Sequence, residues 1–243
     1  MSVYRGFIKT ETKKWTRDSL TAFMIFYPLL FGVVGRWVVP WIERSADMNL
    51  EPFYYIILAG ITLVAPHIYG ALIAFSIIDD REDHIFTSIM VTPLPLFQFL
   101  SFRLMMGFVL AFSASIFIIL FSNLVSIGIG YVLLLSFLSA LIAPIVTLLI
   151  NSLAKNKIEG FAMMKAVVGV LMIFTVASLF FHDAVEWFFA FVPGFWPAKA
   201  MSSLILAEGS LNMGFHGYYW IGLVYLVGCF LAVYQVFMRK GLK

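Results

Sequence analysis

His67 follows Pro66 inside a long apolar stretch. An ionisable group there is costly unless it serves a purpose, and imidazole titrates near neutral pH. His67 is therefore a candidate to hydrogen-bond a ligand across a helical bundle. The alternative is a neutral ring satisfied by a neighbouring helix, with Pro66 merely kinking the segment. A second grouping, His182-Asp183-x-x-Glu186, puts His182 and Glu186 on one helical face. Two ligands fall short of the roughly four that a closed zinc site needs, so no metal is expected and a polar cluster facing lipid headgroups is. A third grouping, Asp79-Asp80-Arg81-Glu82-Asp83-His84, sets four carboxylates against one arginine. Catalytic patterns are missing: there is no His-Glu-x-x-His, no Gly-x-Ser-x-Gly and no pair of acids deep in an apolar run. No Gly-Lys dipeptide occurs either, so the chain lacks the phosphate-cradling loop of P-loop nucleotide sites.

The elements that must carry these residues are membrane spans. Of 243 residues, 62% are hydrophobic and 12% charged, against roughly 45–50% and about 25% in a soluble domain. This excludes a soluble globular protein, a disordered chain and a disulfide scaffold; the lone Cys229 lies in the last apolar run. Aromatics at 17% suit lipid-facing surfaces and interfacial belts. The first apolar run begins near Leu20 and ends in Trp37-Val38-Val39-Pro40 rather than a small-residue cleavage site, so it reads as a retained helix. Six runs are long enough to cross a bilayer: 20–40, 54–78, 104–126, 129–153, 161–181 and 217–237. A seventh, 184–206, is broken by Pro193, Gly194 and Pro197, which predicts two short helices meeting at the break and dipping into the membrane edge. The expected fold class is an all-α membrane protein, 1–243 forming a single transmembrane domain.

Basic residues orient the spans. With the N-terminus in the cytoplasm, thirteen of the 16 Lys and Arg lie inside, and only Arg36, Arg44 and Lys199 outside. Both termini are then cytoplasmic, and the plasma membrane of a bacterium is the expected location. The net charge of +3 calls for anionic lipid rather than nucleic acid. Arg36 and Lys165 are expected to snorkel to headgroups. Asn123, Thr147 and Asn151 are expected to tie helices together, and Gly70 and Ala74 to permit close helix approach.

Two flanking segments carry further information. Residues 1–19 hold Val3, Phe7 and Trp15 at helical spacing among basic residues, the pattern of a helix lying in the interface. After the acidic cluster, Ile85, Phe86, Ile89 and Met90 form an apolar stripe that Pro93 and Pro95 terminate. Acids favour the positive end of such a short helix. Acids beside anionic headgroups argue against its resting on lipid, so it reads as a helix that another protein grips.

Ile78-Asp79-Asp80-Arg81-Glu82-Asp83-His84-Ile85, then Val91-Thr92-Pro93 and Arg103, resembles the first cytoplasmic loop of type-2 ATP-binding-cassette (ABC) exporter permeases. There an Arg-Glu pair precedes Gly-Thr, a short coupling helix, Thr-Pro and a basic residue opening the next span. The chain departs at His84-Ile85, where Gly-Thr is usual. Pro193-Gly194-Phe195-Trp196-Pro197 stands where the family commonly has a Pro/Trp-rich break between external half-helices, and the resemblance spans nearly the whole chain.

The resemblance implies a half-size transport subunit without an ATPase site of its own. ATP and Mg would sit on a separate ABC ATPase subunit, and a second permease copy would complete the transporter as a homo- or heterodimer. It implies that Asp80, Arg81, Glu82, Asp83, Ile85, Phe86, Ile89, Thr92 and Pro93, in the coupling loop 79–98, meet the ATPase. It implies a substrate path walled by the first, second and fifth spans, with His67, Tyr69, Phe31 and Phe174 as candidates. The expected cargo is a hydrophobic or amphipathic drug, peptide or lipid. Competing readings are a non-transporting scaffold or sensor, which leaves the broken segment unexplained, and an intramembrane lipid-modifying enzyme, for which His67 lacks a catalytic partner.

Overall fold

The computed structural model describes residues 19–86, 96–206 and 211–240. The expected interfacial helix at 1–19 lies almost wholly outside these residues, as do Ile89, Thr92 and Pro93. Among the described residues there is no strand. Six helices are long and apolar enough to span: Ala22–Ala46, Glu51–Glu82, Phe97–Ser122, Ile129–Leu153, Lys157–Ser178 and Phe215–Arg239. They run up and down in sequence, placing Glu82, Phe97, Leu153, Lys157 and Arg239 at one end, here the acidic end. The broken segment lies at the far end.

The spans differ from the sequence expectation at their polar margins. The second continues through Asp79-Asp80-Arg81-Glu82 instead of stopping at Ile78, and the third opens at Phe97 instead of 104. A charge need not end a span: Asp79 and Asp80 continue the helix and pair with Lys157 and Arg103 of other helices. The first and fifth spans each contain a π-helical turn, at Val34–Val38 and Met164–Val168. Arg36, in the first of these, donates to the Phe121 carbonyl at 3.1 Å and caps the third span rather than merely snorkelling. Asn123 is no interhelical tie: it takes φ 50° just past that span, the left-handed conformation that ends helices.

The second and fourth spans form the core. In each, 72% of the apolar window is buried, against 11% in the fifth span and 17% in the sixth. Their contact is a zip of small and polar residues. Thr147 Oγ1 donates to the Gly70 carbonyl at 2.8 Å, and Asn151 Nδ2 to the Ala74 carbonyl at 3.3 Å. Residues 70 and 74 are one turn apart on one helix, as are 147 and 151 on the other, so the bonds repeat each turn. Gly70 allows the approach: a Cβ there would lie 2.6 Å from the Ala143 carbonyl oxygen and 2.8 Å from Val146 Cβ. This is the tie expected of Thr147, Asn151, Gly70 and Ala74.

The broken segment consists of a 3-10 helix, Ala184–Phe189, and an α-helix, Phe195–Ile205. Residues 195–202 of the second piece are all buried, and it packs against the second, fourth, fifth and sixth spans. The Trp196 indole donates to the Ala190 carbonyl at 3.1 Å and closes the elbow.

Gly70→Val is expected to force the second and fourth spans apart at a cost of about 1–3 kcal/mol, lowering the apparent Tm of the detergent-purified protein by several degrees. Gly60→Ala, where a Cβ meets nothing within 4 Å, is expected to leave the Tm unchanged.

Candidate functional site

At the acidic end, four polar residues in one helical turn face different neighbours. Asp80 forms an ion pair with Arg103, and both side chains are 2% exposed. Arg103 thus lies well inside the third span as an internal charge, not at its mouth as a membrane anchor. Its guanidinium lies 5.0 Å from the Phe99 ring centroid, one turn back. Phe99 in turn meets Phe86 edge-to-face at 6.2 Å. Phe86, the last described residue before 96, is 9% exposed. A chain of contacts therefore runs from Asp80 through Arg103 and Phe99 to the start of the expected coupling helix.

Arg81 turns toward the fourth span. It donates to the Ala154 carbonyl at 3.0 Å and the Asn151 carbonyl at 3.4 Å, with Asn151 Oδ1 at 3.5 Å. These groups close the C-terminus of that span, where a cation complements the helix dipole. Glu82 accepts from the Lys157 backbone N–H at 3.0 Å, and Asp79 pairs with Lys157 Nζ at 3.2 Å. The fifth span begins with an Asn156 cap: its side chain accepts from Glu159 N–H at 2.9 Å, and Glu159 accepts from Lys155 N–H at 2.8 Å. Asp79, Asp80, Arg81 and Glu82 thus bind the second span to the third, fourth and fifth. Asp83 and Ile85 stay at the surface or half-buried. His84 takes φ 55°, the left-handed conformation. A glycine adopts that conformation at less cost than a histidine.

The far end holds a second buried charge cluster. Glu186 and Lys199 are 2.7 Å apart, both at 0% exposure. Glu186 Oε1 accepts from the Tyr218 hydroxyl at 2.6 Å and Asn212 Nδ2 at 2.8 Å. Lys199 Nζ also donates to the Phe181 carbonyl. Glu186 therefore faces protein instead of lipid headgroups, and Lys199 is no headgroup anchor. Because each charge has a fixed partner, the pair can be buried where a lone ion could not. His182, half-buried, has Nε2 3.3 Å from the Tyr55 hydroxyl, which donates to the Leu179 carbonyl at 3.3 Å. Among the described residues no group of three or more His, Cys, Asp or Glu is arranged to hold a metal ion.

The substrate-path candidates each have partners of their own. His67 is 1% exposed; its Nδ1 donates to the Leu63 carbonyl of its own helix at 2.7 Å, not to a neighbouring helix. Nε2 is left as a buried acceptor with no protein donor among the described residues. Tyr69 spends its hydroxyl on the Ile25 carbonyl at 3.1 Å, tying the second span to the first. Phe31 stacks on Tyr27 at 5.8 Å, and Phe174 meets Phe189 and Phe191 of the broken segment.

The family described as fluoroquinolones export permease protein Rv2686c-like matches residues 11–234. The chain belongs to that family. It is an ABC-2 type export permease, the membrane subunit of a transport system. Two relatives from Mycobacterium tuberculosis are each 27% identical over 203 residues, covering 80% of either chain. They are the fluoroquinolones export permease proteins MT2760, of strain CDC 1551 / Oshkosh, and Rv2686c, of strain ATCC 25618 / H37Rv. No solved structure matches the chain significantly.

Sequence reasoning about the permease missed the Asp80–Arg103 and Glu186–Lys199 pairs, each joining charges from separate helices. The Asn156-x-x-Glu159 spacing, that of a capping box, is the signal that could have placed the start of the fifth span earlier than 161.

Removing one partner alone, by Asp80→Ala or Arg103→Ala, strands a buried charge and is expected to cost about 3–5 kcal/mol. The Asp80→Leu/Arg103→Met double variant is expected to recover most of that loss, read by thermal unfolding of the purified permease. A second outcome concerns acid. Burial, and then the Lys199 charge, hold the His182 pKa below its ordinary value, against the opposing pull of Glu186 and Asp183. The folded permease therefore favours the neutral ring. This contribution is fully present above the ordinary histidine pKa of about 6.5 and is lost as pH falls below it toward the folded value. The Tm is expected to fall between about pH 7 and pH 5, and to fall less in His182→Gln.

Proposed function

We propose that this permease exports an amphipathic, drug-like small molecule of the fluoroquinolone kind, driven by a separate ABC ATPase that docks on the loop after Glu82. The substrate class follows the name borne by the relatives. It fits a membrane bundle whose described residues hold few uncompensated charges. ATP and Mg belong to the ATPase, consistent with the absence of any Gly-Lys dipeptide here.

The observation that carries the ATPase reading is the chain Asp80–Arg103–Phe99–Phe86. It gives the loop beyond Phe86 a rigid base seated on two spans, so a push on the loop is delivered into the bundle rather than absorbed by a flexible turn. In this reading Asp80, Arg81 and Glu82 act by positioning the loop. Direct contact falls to Asp83, Ile85 and the segment containing Ile89, Thr92 and Pro93. The acidic end faces the cytoplasm. Setting aside the internal charges Arg103 and Lys199 leaves twelve basic residues on that side and two on the other, the same asymmetry. The lightly buried first, fifth and sixth spans leave apolar surface for lipid and for a second permease copy.

The test is ATP-dependent uptake of a fluorescent fluoroquinolone into inverted vesicles from cells expressing the permease with its ATPase. Phe86→Ala and Ile85→Ala are expected to lower uptake ~10-fold or more, equivalent to about 1.4 kcal/mol of lost docking free energy, at unchanged membrane levels of permease. Uptake that persists in both variants, or that needs no ATP in the wild type, would contradict the reading.

A further inference from the structure

Glu186 and Lys199 play no part in docking an ATPase, yet they are the most completely buried charge pair among the described residues. They lie on either side of the Pro193-Gly194 elbow. Each is also held by a group in or beside a flanking span: Tyr218 and Asn212 on the carboxylate, the Phe181 carbonyl on the ammonium. Asn212 Nδ2 further approaches the His182 and Asp183 carbonyls, at 3.3 and 3.2 Å. Four pieces of chain thus converge on one ion pair: the end of the fifth span, the 3-10 helix, the helix 195–205 and the approach to the sixth span.

The apolar packing around the pair is equally unyielding. A Cβ on Gly194 would lie 2.2 Å from Thr175 Oγ1 of the fifth span, and one on Gly222 of the sixth would lie 2.6 Å from Trp196 Cβ. The polar tie to the second span is weaker, two 3.3 Å approaches to the Tyr55 hydroxyl from a half-buried site. Pulling Glu186 from Lys199 would strand both ions in a medium that cannot solvate them. Motion at this end is therefore cheapest where no charge pair must part.

We propose that Glu186 and Lys199 are positioning residues for export, making the fifth-span end, the broken segment and the sixth-span start one rigid lever. The elbow at Pro193-Gly194 is then a fixed corner and no hinge. The lever turns against the second span at the Tyr55–His182 contact. The inference takes the family's export activity as given and does not depend on how an ATPase docks.

The test uses the full-length permease carrying Cys229→Ser in lipid nanodiscs, followed by amide hydrogen exchange. Glu186→Gln and Lys199→Met are each expected to raise exchange together across 179–205 and 212–222, whereas Lys199→Arg keeps it near the wild-type level. A rise confined to the turn around the substituted residue would overturn the lever. Because exchange is read without drug or nucleotide, it decides the matter even if the ATPase reading fails. A second measurement bears on movement. A disulfide between Asp183→Cys and Asn212→Cys bridges two parts of the lever, and its oxidation is expected to leave export at the level of the reduced variant, since those parts do not move apart. Export that is lost on oxidation and restored by reduction would show internal motion and overturn the proposal.

Discussion

In a protein surrounded by hydrocarbon, a charge must find its counter-charge inside the fold or pay for its isolation in stability. This constraint organises both ends of the permease. At the acidic end, Asp80 is neutralised by Arg103 from the third span, and Asp79 by Lys157 from the fifth. At the far end, Glu186 is neutralised by Lys199 across the elbow. Between these clusters the second and fourth spans are held by neutral bonds from Thr147 and Asn151 to the backbone beside Gly70 and Ala74. The ends are polar and cross-linked, and the middle is a close-packed zip.

This arrangement gives the exporter a mechanical logic. Phe86 sits on Phe99, Phe99 lies under Arg103, and Arg103 is tied to Asp80. A force on the loop beyond Phe86 therefore reaches the second and third spans together. Through Arg81 and Glu82 it also reaches the fourth span and the start of the fifth. At its opposite end the second span meets His182 through the Tyr55 hydroxyl. The route from Phe86 to His182 is a series of packed contacts and hydrogen bonds along the second span.

Much of the fold was legible in the sequence because apolar run length is set by bilayer thickness. The six spans and the two short helices around Pro193-Gly194 follow from apolar run length and its breaks alone. Span margins were misread where a charge was taken as a boundary. Asp79 to Glu82 and Arg103 are helical, and Asp80 and Arg103 are buried besides, because their partners lie on other helices, which a linear reading cannot supply. The same blindness hid the pairing of Lys199 with Glu186, the latter expected to face headgroups. Thr147, Asn151 and Gly70 were legible because small and polar residues in a span have few uses other than helix contact. His67 was visible as costly, and the structure adds that its Nδ1 is satisfied within its own helix while Nε2 has no hydrogen-bond partner among the described residues.

The most direct measurement of the central claim is a structure of the assembled transporter with nucleotide bound. The account predicts that the loop following Phe86 is clasped by the ATPase, with Asp80 still paired to Arg103 and Phe86 still seated on Phe99. An ATPase attached elsewhere, or a clasped loop with the Asp80–Arg103 pair broken and Phe86 detached, would contradict it.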